Sequence, residues 1–246
     1  MEHQIRIEGC WTDAPSEQLK NDFIFLANEV FGAFVTKDYY QAKFEDNVYG
    51  PSLITIAYVD GQPAGADVMW RNDLWGSKAF QTVDTCVLEQ HRGMGLFKKM
   101  TRWELELLGD HTLVYGFPNA NSFPGYVKMG WRVSRLHKIP ALLWKNKARQ
   151  DFIESAYAAW WLKKPGIVSL RKNGKCYLIR KKKNHSLATL LGQVDEATGA
   201  RFPLSESACV LCSFETKSSI YNKNKFIPLV CNQPKMEIPY WKIDAI

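Results

Sequence analysis

A glycine-containing turn that leads directly into an amphipathic helix is the feature that most constrains how this chain can fold. The turn is Arg92 to Gly95, with the letters Arg-Gly-Met-Gly, and it follows strand-like residues that end near Val87. Gly93 and Gly95 permit backbone conformations closed to other residues and let a ligand approach the main chain. Because amides at a helix N-terminus lack intrahelical partners and carry partial positive charge, such a turn is suited to phosphate. The segment predicts a phosphate-binding turn between a strand and a helix.

The helix after the turn has an apolar face and a charged face. The apolar residues recur at helical spacing and are predicted to pack on the core; they are Leu96, Met100, Trp103 and Leu107. The charged residues between them are Lys98, Lys99, Arg102 and Glu106. Two familiar nucleotide loops do not fit, since G-x-x-x-x-G-K-[ST] is missing and Lys98 stands where a third glycine would complete a dinucleotide fingerprint. A different phosphate ligand is expected.

Two motifs occur in order along the chain. The first is V-x-x-x-x-R-G-x-G, from Val87 to Gly95, and the second lies between Asn119 and Trp131. The second is similar to N-x-x-A-x-x-x-Y-x-K-x-G-F; its residues in register are Asn119, Tyr126, Lys128 and Gly130. Between the motifs, a helix and the apolar run His111 to Phe117 supply the next two elements. Both motifs and their order resemble the GNAT (Gcn5-related N-acetyltransferase) superfamily, over roughly residues 5 to 140. Phe97 departs from the family pattern, which has a small residue there.

The resemblance implies an α/β (α+β) fold, in which a mixed, mostly antiparallel sheet is flanked by helices. Local patterns agree with this fold class. The predicted elements are a strand at Ile5 to Ile7, a helix opened by Pro15 and Glu17 with the stripe Leu19, Phe23, Leu26 and Val30, a hairpin of Leu53 to Val59 and Ala64 to Arg71 joined by Asp60-Gly61, and a strand from Lys78 to Leu88. The last of these strands leads into the phosphate-binding turn.

The chain exceeds the length of one such domain, so further parts are predicted. Residues 1–140 are assigned to a GNAT acyl-CoA-binding catalytic domain, 141–166 to a bridging helix with its pattern at Asn146 to Leu162, and 167–246 to a small β-rich C-terminal domain. The strand-like runs in the last part are Ile167 to Leu170, Lys175 to Arg180, Leu187 to Gln193, Ala208 to Phe214 and Phe226 to Cys231. A truncated GNAT-like repeat, an acceptor-binding module and a homodimer contact are the interpretations left open for this part.

Composition favours a cytoplasmic protein that binds no metal. No apolar run approaches the ~18 residues of a membrane span, and Met1 to Cys10 lacks the apolar centre of a signal peptide. The cysteines are expected to be reduced and mostly buried. The single Cys209-x-x-Cys212 pair lies in a β-like run where alternate residues face opposite ways, which disfavours a zinc site.

The formal charge of +7 has two interpretations. One is nucleic-acid binding, favoured by the run Arg180 to Lys183; the other is attraction of polyanionic small molecules such as CoA and a nucleotide-linked substrate. The basic run follows the strand-like Cys176 to Ile179 without a recognised nucleic-acid fold or an array of stacking aromatics. A solvated hairpin accounts for the run, so we predict no nucleic-acid partner.

The resemblance assigns roles to residues of both motifs. Those expected to bind acyl-CoA are Cys86, Val87, Arg92, Gly93, Met94, Gly95, Leu96, Phe97, Lys98 and Asn121. Tyr126 is expected to protonate the sulfur of the leaving thiolate, with a core tyrosine as the alternative. A backbone amide at Cys86 or Val87 would polarise the thioester carbonyl, and Asn119 would line the opening beside it. Cys86 is expected to be inert, so that the amine attacks directly in a ternary complex.

The general base and the acceptor contacts are less defined. Asp84 lies two residues before Cys86 and is the first candidate for the base, because alternate strand residues share a face. Glu89, His91 or a chain of water molecules are the alternatives. The aromatic segment Phe31 to Gly50 covers the acceptor site in the family, and its rings serve either packing or acceptor contact. The predicted acceptor-binding residues are Tyr39, Tyr40, Trp70 and Arg71.

The second motif also resembles acyltransferases of bacterial surface-polysaccharide pathways. That resemblance implies transfer of an acyl group from acyl-CoA, either acetyl-CoA or a hydroxyacyl-CoA, to the amine of a nucleotide-linked amino sugar, with dTDP the expected nucleotide. An aminoglycoside acceptor fits a basic chain poorly, since a polycation requires acidic residues near the site. The alternatives are an N-acetyltransferase of another small amine or of a protein, and a non-catalytic acyl-CoA sensor.

Overall fold

The computed structural model describes residues 3–32, 34–74, 77–140, 155–163, 166–172, 175–181, 187–194, 209–215 and 227–233. The chain divides into two compact units. The first unit comprises residues 1–133 together with 229–236, and the second comprises 134–228 together with 237–246. The domain boundaries at residues 140 and 166 stay predictions; the compact units divide after residue 133, and residues 229–236 belong to the first of them.

The first unit alternates strands and helices in the order expected. Its elements are β1 (Ile5–Trp11), α1 (Glu17–Phe31), α2 (Lys37–Tyr40) continuing into a π-helical turn (Gln41–Glu45), β2 (Leu53–Val59), β3 (Gln62–Arg71), β4 (Ala79–Val87), a 3-10 turn (Glu89–His91), α3 (Leu96–Leu108), β5 (Leu113–Gly116) and α4 (Phe123–Lys128). The remaining elements of the chain are β6 (Arg132–Pro140), α5 (Ser155–Leu162), β7 (Ile167–Lys172), β8 (Lys175–Lys181), β9 (Leu187–Val194), β10 (Cys209–Glu215) and β11 (Ile227–Cys231).

The sheet of the first unit is mixed and mostly antiparallel, which confirms the predicted fold class. Its strands follow the order β1-β2-β3-β4-β5-β11. Only β4 and β5 run parallel among these neighbours. The predicted hairpin of β2 and β3 is confirmed, and its turn residues Asp60 and Gly61 have φ angles of 51° and 80°. Positive φ at both central residues is the geometry that matches the twist of a two-residue hairpin.

Helices cover both faces of this sheet. The consecutive β3 residues Met69 and Trp70 show the two layers: Met69 packs with Tyr126 of α4, whereas Trp70 Nε1 donates a hydrogen bond to the carbonyl of Lys43, 3.0 Å away. Because successive side chains of a strand point to opposite faces, α4 and the segment of Lys43 lie on different sides. Helices α1 and α3 each pack on the central strands.

Strand β11 completes the sheet beside β5, although the sequence placed it in the C-terminal domain. Val230 pairs with Gly116, and Asn232 clamps the end of the strand. The amide of Val114 donates to Asn232 Oδ1 at 2.9 Å, and Asn232 Nδ2 donates to the carbonyl of Thr112 at 2.9 Å. These bonds cover an edge of β5 that would otherwise leave backbone groups unpaired, which is the physical reason for the difference from the prediction.

We expect Asn232→Ala to lower the free energy of unfolding by roughly 1 to 3 kcal/mol, since two part-buried backbone groups, the amide of Val114 in β5 and the carbonyl of Thr112 just before it, lose their side-chain partners. Chemical denaturation measures the change. The matched control is Gln233→Ala, because Gln233 Nε2 also donates to this edge, to the carbonyl of His111 at 3.0 Å, but from an exposed position. Equal losses in both variants would contradict a specific clamp at Asn232.

Helix α3 is rotated relative to its predicted apolar stripe. Leu107 was expected to pack but is 51% exposed, whereas Glu104, which was not singled out, is fully buried. The buried residues of the helix are Leu96, Met100, Thr101 and Glu104. Since Glu104 lies beside the buried Asp67 of β3, a polar contact across the interface turns the helix away from the purely apolar face.

The second unit contains a sheet in the order β6-β10-β9-β8-β7. All of its neighbours are antiparallel except β9 and β10. Strands β7 to β10 agree closely with the predicted runs, whereas β6 was not predicted. Of the helix predicted at residues 146–162, the last part forms α5, whose Trp161 ring lies 5.0 Å from that of Tyr157, and residues 141–154 lie outside the described residues. The basic run ends outside them as well, at residues 182 and 183.

Candidate active site

An opening between the parallel strands β4 and β5 lies at their carboxyl ends. Pairing of the two strands starts at Ala79 and Leu113 and ends at Thr82 and Gly116, whereas β4 continues to Val87. A side chain at position 116 would not fit, because a Cβ there would lie 2.3 Å from Thr82 Oγ1. The strands therefore stay close up to Thr82 and then diverge, so the last residues of β4 have no strand partner on that side within the described part of the chain.

The turn after β4 presents its backbone to an open space. Gly93 has φ 85° and Gly95 has φ 74°, a region that favours glycine. An added Cβ at either position would meet no atom of the described chain within 4 Å. The side chains of Met94 and Leu96 pack inward on the core, so the main chain, not the side chains, faces outward. Outward amides at the start of α3 would form a cradle suited to a phosphate, and the phosphate-binding role of this turn stays a prediction.

Tyr126 of α4 lies between this turn and the strand opening. Its ring is buried, with its centroid 4.9 Å from that of Phe97 and 4.7 Å from that of Trp131. Burial raises the pKa of the Tyr126 phenol well above its usual value, while the hydroxyls of Thr82 and Thr85 beside it act in the opposite direction. The phenol therefore holds its proton firmly at neutral pH and has hydroxyl partners at the end of the β4–β5 pairing.

The departure at Phe97 has a structural counterpart in α4. A Cβ at Gly125 would lie 2.4 Å from Cε1 of the Phe97 ring. Glycine at position 125 makes room for the aromatic ring of Phe97, which stands where the family motif has a small residue. The pair fixes α4 against the first turn of α3 and, with it, the place of Tyr126.

A β-bulge in β4 sits inside the opening. Ala66 pairs with Cys86 and Val68 pairs with Val83, so β4 has one extra residue opposite Asp67. The irregular residue is Asp84, which has φ 52°. Bulges redirect side chains, and here Asp84 and its neighbour Thr85 reach different partners. Thr85 Oγ1 donates to Asp67 at 2.7 Å, whereas Asp84 reaches Lys43.

Lys43 and Asp84 form a buried ion pair at the bulge. Lys43 Nζ lies 2.7 Å from Asp84 Oδ2, and the two side chains are 7% and 15% exposed. Lys43 Nζ also donates to the hydroxyl of Tyr39 at 2.9 Å. Burial alone would lower the pKa of Lys43, but the charge of Asp84 and these hydrogen bonds outweigh it and raise the pKa. The candidate base is thus held by a permanently charged neighbour. Sequence reasoning missed Lys43 as a site residue because the contact joins distant segments.

The predicted acceptor residues divide between core and surface. Tyr40 and Trp70 are fully buried, so the structure places both in the core. Tyr40 packs edge-on against Phe44, with ring centroids 5.3 Å apart. Tyr39 is partly exposed beside the opening. Arg71 forms an ion pair with Asp73.

Asn119 and Cys86 have local roles that explain their positions. The side-chain oxygen of Asn119 accepts hydrogen bonds from the amides of Asn121 and Ser122, at 2.9 and 3.1 Å. It fixes the turn that precedes α4 and therefore acts on Tyr126 indirectly. Burial raises the pKa of the Cys86 thiol to about 12, which agrees with an inert side chain. Among the described residues, Cys10, Cys86, Cys176 and Cys231 form no disulfide.

Comparison with solved structures places the fold. No protein-family profile matches the chain, and no curated protein matches it in sequence. A probable N-acyltransferase of unknown function from Enterococcus faecalis V583 is similar in structure, with a TM-score of 0.56 at 10% identity over 94% of this chain and 72% of that one. A GCN5-related N-acetyltransferase from Kribbella flavida gives a TM-score of 0.57 at 10% identity, over 93% and 71%. The chain has the GNAT fold.

None of the described helices is both long and apolar enough to cross a membrane. Within the same residues, no three His, Cys, Asp or Glu side chains come together as a metal site.

Proposed function

We propose that this chain is an acyl-CoA-dependent N-acyltransferase. The observation that carries the proposal is the adjacency of an open glycine cradle and a strand opening, with the Tyr126 phenol between them. The cradle meets the requirement of a pyrophosphate, because Gly93 and Gly95 leave space where a side chain would stand. Arg92 and Lys98 are exposed beside it and add positive charge. Acyl-CoA would supply the thioester whose carbonyl carbon accepts the amine.

The residues of the opening divide the chemical tasks. An unpaired backbone amide near Cys86 or Val87 stabilises the negative charge that develops on the carbonyl oxygen. Tyr126 holds a proton at Oη and delivers it to the sulfur as the carbon–sulfur bond breaks. Asp84 takes the proton that the amine loses as the carbon–nitrogen bond forms, while Lys43 fixes the orientation of the carboxylate. Glu89, His91 and water remain the alternatives for this last step.

We propose a nucleotide-linked amino sugar, with dTDP as the nucleotide, as the acceptor. The net charge of +7 favours polyanionic substrates. Tyr39, held by Lys43 at the opening, offers a ring that can stack and a hydroxyl that can form hydrogen bonds. The acyl group is acetyl or hydroxyacyl, and a role in O-antigen or capsule synthesis follows from this acceptor class.

Thiol release from acetyl-CoA and from a hydroxyacyl-CoA tests the proposal. The acceptors are dTDP- and UDP-linked amino sugars, free amino sugars, an aminoglycoside and a lysine peptide, with a reaction lacking acceptor as the blank. Turnover confined to nucleotide-linked sugars is expected. Turnover only on another amine would overturn the acceptor class, and CoA binding without turnover on any amine would favour a sensor.

We expect Asp84→Asn to lower kcat by roughly a hundredfold and to leave the affinity for CoA unchanged. Asparagine keeps the shape and can still accept from Lys43, but it cannot take a proton. Steady-state kinetics across pH and calorimetric CoA binding measure the two effects. Asp22→Asn is the matched control, because Asp22 is also a buried carboxylate and accepts from the Tyr58 hydroxyl at 2.6 Å, away from the opening. A pH profile that Asp84→Asn leaves intact would transfer the role to Glu89 or water.

A further inference from the structure

Two carboxyl groups are buried together behind the bulge of β4. Asp67 of β3 and Glu104 of α3 are both fully buried. Asp67 Oδ1 accepts hydrogen bonds from the Val68 amide at 2.9 Å and from Thr85 Oγ1 at 2.7 Å. Its other oxygen, Oδ2, has a long contact of 3.4 Å from the Thr101 hydroxyl. Asp67 Oδ1 is therefore well satisfied, whereas Oδ2 has room for a stronger donor.

Glu104 is suited to be that donor. Neither of its carboxyl oxygens accepts a hydrogen bond from the part of the chain that the structure describes, and the hydroxyl of Thr55 beside it makes none of good geometry. A buried carboxylate without donors is costly, whereas a carboxylic acid needs only an acceptor for its proton. Asp67 lies next to Glu104 and provides that acceptor. The two groups can be accommodated together only if they hold at least one proton between them.

We propose that Asp67 and Glu104 share a proton and that Asp67, through the hydroxyl of Thr85, is the positioning residue of the Tyr126 phenol. A hydroxyl that donates to Asp67 has its lone pairs directed elsewhere, and Thr85 is beside Tyr126. The charge of Asp67 also contributes to the raised pKa of Tyr126. The catalytic consequence rests on the proposed acyl transfer, whereas the shared proton and the link to the phenol do not.

The surroundings of Asp67 define the pH range over which its protonation affects Tyr126. The groups that face it are the hydroxyls of Thr85 and Thr101, Glu104 and, by their charge coupling, Cys86 and Tyr126. Burial raises the pKa of Asp67 to about 6, against which its hydrogen bonds act, and burial together with the charge of Asp67 raises that of Glu104. Below about pH 6 Asp67 gains a proton. The hydrogen bond that Thr85 donates to it then weakens, and Tyr126 loses its fixed position.

The raised pKa of Asp67 also makes the stability of the folded protein depend on pH. The folded protein holds the Asp67 proton more tightly than the unfolded chain does. The stability that this proton adds to the folded state is complete below pH 3.8, the ordinary pKa of the carboxyl group, and is lost as the pH rises through the folded-state pKa of about 6. Glu104→Gln removes one of the two acids while its amide still donates to Asp67. We expect this variant to be more stable than the wild type at neutral pH, with a smaller difference at acid pH.

The test follows the Tyr126 phenol by NMR of protein that carries isotope-labelled tyrosine, with the signal assigned by its loss in Tyr126→Phe. In the full chain the Tyr126 signal is expected to shift with pH, with a midpoint near pH 6, because burial raises the pKa of Asp67 to about 6. In Asp67→Asn the shift disappears, and in Glu104→Gln a shift remains because Asp67 is intact. The signal of Tyr115, a buried tyrosine whose hydroxyl donates to the carbonyl of Asn72 at 3.2 Å, serves as the internal control.

A second variant keeps the test decisive if Asp67→Asn does not fold. Thr85→Val keeps the shape of the side chain but breaks the link, so the pH-dependent shift of the Tyr126 signal should shrink to the part that the charge of Asp67 causes through space. A shift of undiminished size in Thr85→Val, or any shift with this midpoint in Asp67→Asn, overturns the proposal, as does a wild-type signal that does not move. In the enzyme assay, kcat of Thr85→Val should fall roughly ten- to a hundredfold at unchanged KM for acyl-CoA. The decrease of kcat at acid pH that follows from protonation of Asp67 should be missing from the pH profile of this variant. Wild-type protein without turnover would defeat the proposed function, while the NMR result would still decide this one.

Discussion

Gly95→Val is expected to weaken CoA binding by at least roughly tenfold. Gly95 precedes the first residue of α3 with φ 74° and ψ 15°, and the space above it is open. A β-branched side chain there would occupy the cradle and strain the backbone, at about 1 to 2 kcal/mol for the left-handed conformation alone. Both effects act on the ligand-binding conformation, and each 1.4 kcal/mol corresponds to about a tenfold change in affinity. Isothermal titration with CoA measures the loss.

The control for Gly95 is the glycine at the other end of the same helix. Gly109 has φ 84°, and an added Cβ would likewise meet no described atom within 4 Å. Gly109→Val therefore carries at least comparable backbone strain without touching the cradle. It should lower the melting temperature and leave CoA affinity unchanged. Equal losses of affinity in both variants would show that helix stability, and not the cradle, controls binding, and wild-type affinity in Gly95→Val would refute the placement of the pyrophosphate.

Tyr126→Phe should lower kcat by roughly a hundredfold or more while CoA affinity and the fold are retained. The phenol is the group that holds a proton at the strand opening, and burial keeps its pKa high. Phenylalanine keeps the contacts with Phe97 and Trp131, so the aromatic packing of α4 is unchanged. Pre-steady-state measurement of thiol release separates the chemical step from product release. The loss should appear in the chemical step.

Tyr115→Phe is the matched control for a lost buried hydroxyl. Tyr115 lies on β5, is fully buried, and its hydroxyl donates to the carbonyl of Asn72. Its removal should cost about 1 kcal/mol of stability and little kcat. If Tyr126→Phe also changes only stability, Tyr126 is a core tyrosine and the thiolate takes its proton from elsewhere.

Local chemistry accounts for the parts of the structure that the sequence predicted well. The Asp60-Gly61 hairpin and the turn at Gly93 and Gly95 each depend on residues that tolerate positive φ, and those residues are visible in the sequence. The strands of both units, except β6, were located by runs of apolar residues. The GNAT fold followed from two short motifs in order, because each motif follows one strand of the parallel pair, the first after β4 and the second after β5.

Contacts between distant segments explain what the sequence did not reveal. Asp67, a charged residue inside the otherwise apolar middle of strand β3, was the available indication of a buried polar site. Its partner Glu104 lies on α3, far away in sequence, and is recognised only in the structure. Lys43 and Asp84 are 41 positions apart, and no spacing rule joins them. Tyr40 could not be separated from Tyr39 by composition, since neighbouring residues at a helix surface differ in burial only through packing.

The position of β11 constrains the order in which the sheet can be completed during synthesis. The hydrogen bond from Val114 to Asn232 joins residues 118 positions apart. A growing chain that already contains the glycine cradle, β5 and α4 therefore still has an open edge on β5 until the residues of β11 have left the ribosome. Closing so long a loop is slow, and an uncovered strand edge readily pairs with other chains. The residues needed for the proposed chemistry are thus made early, whereas the strand that protects them from aggregation is made late.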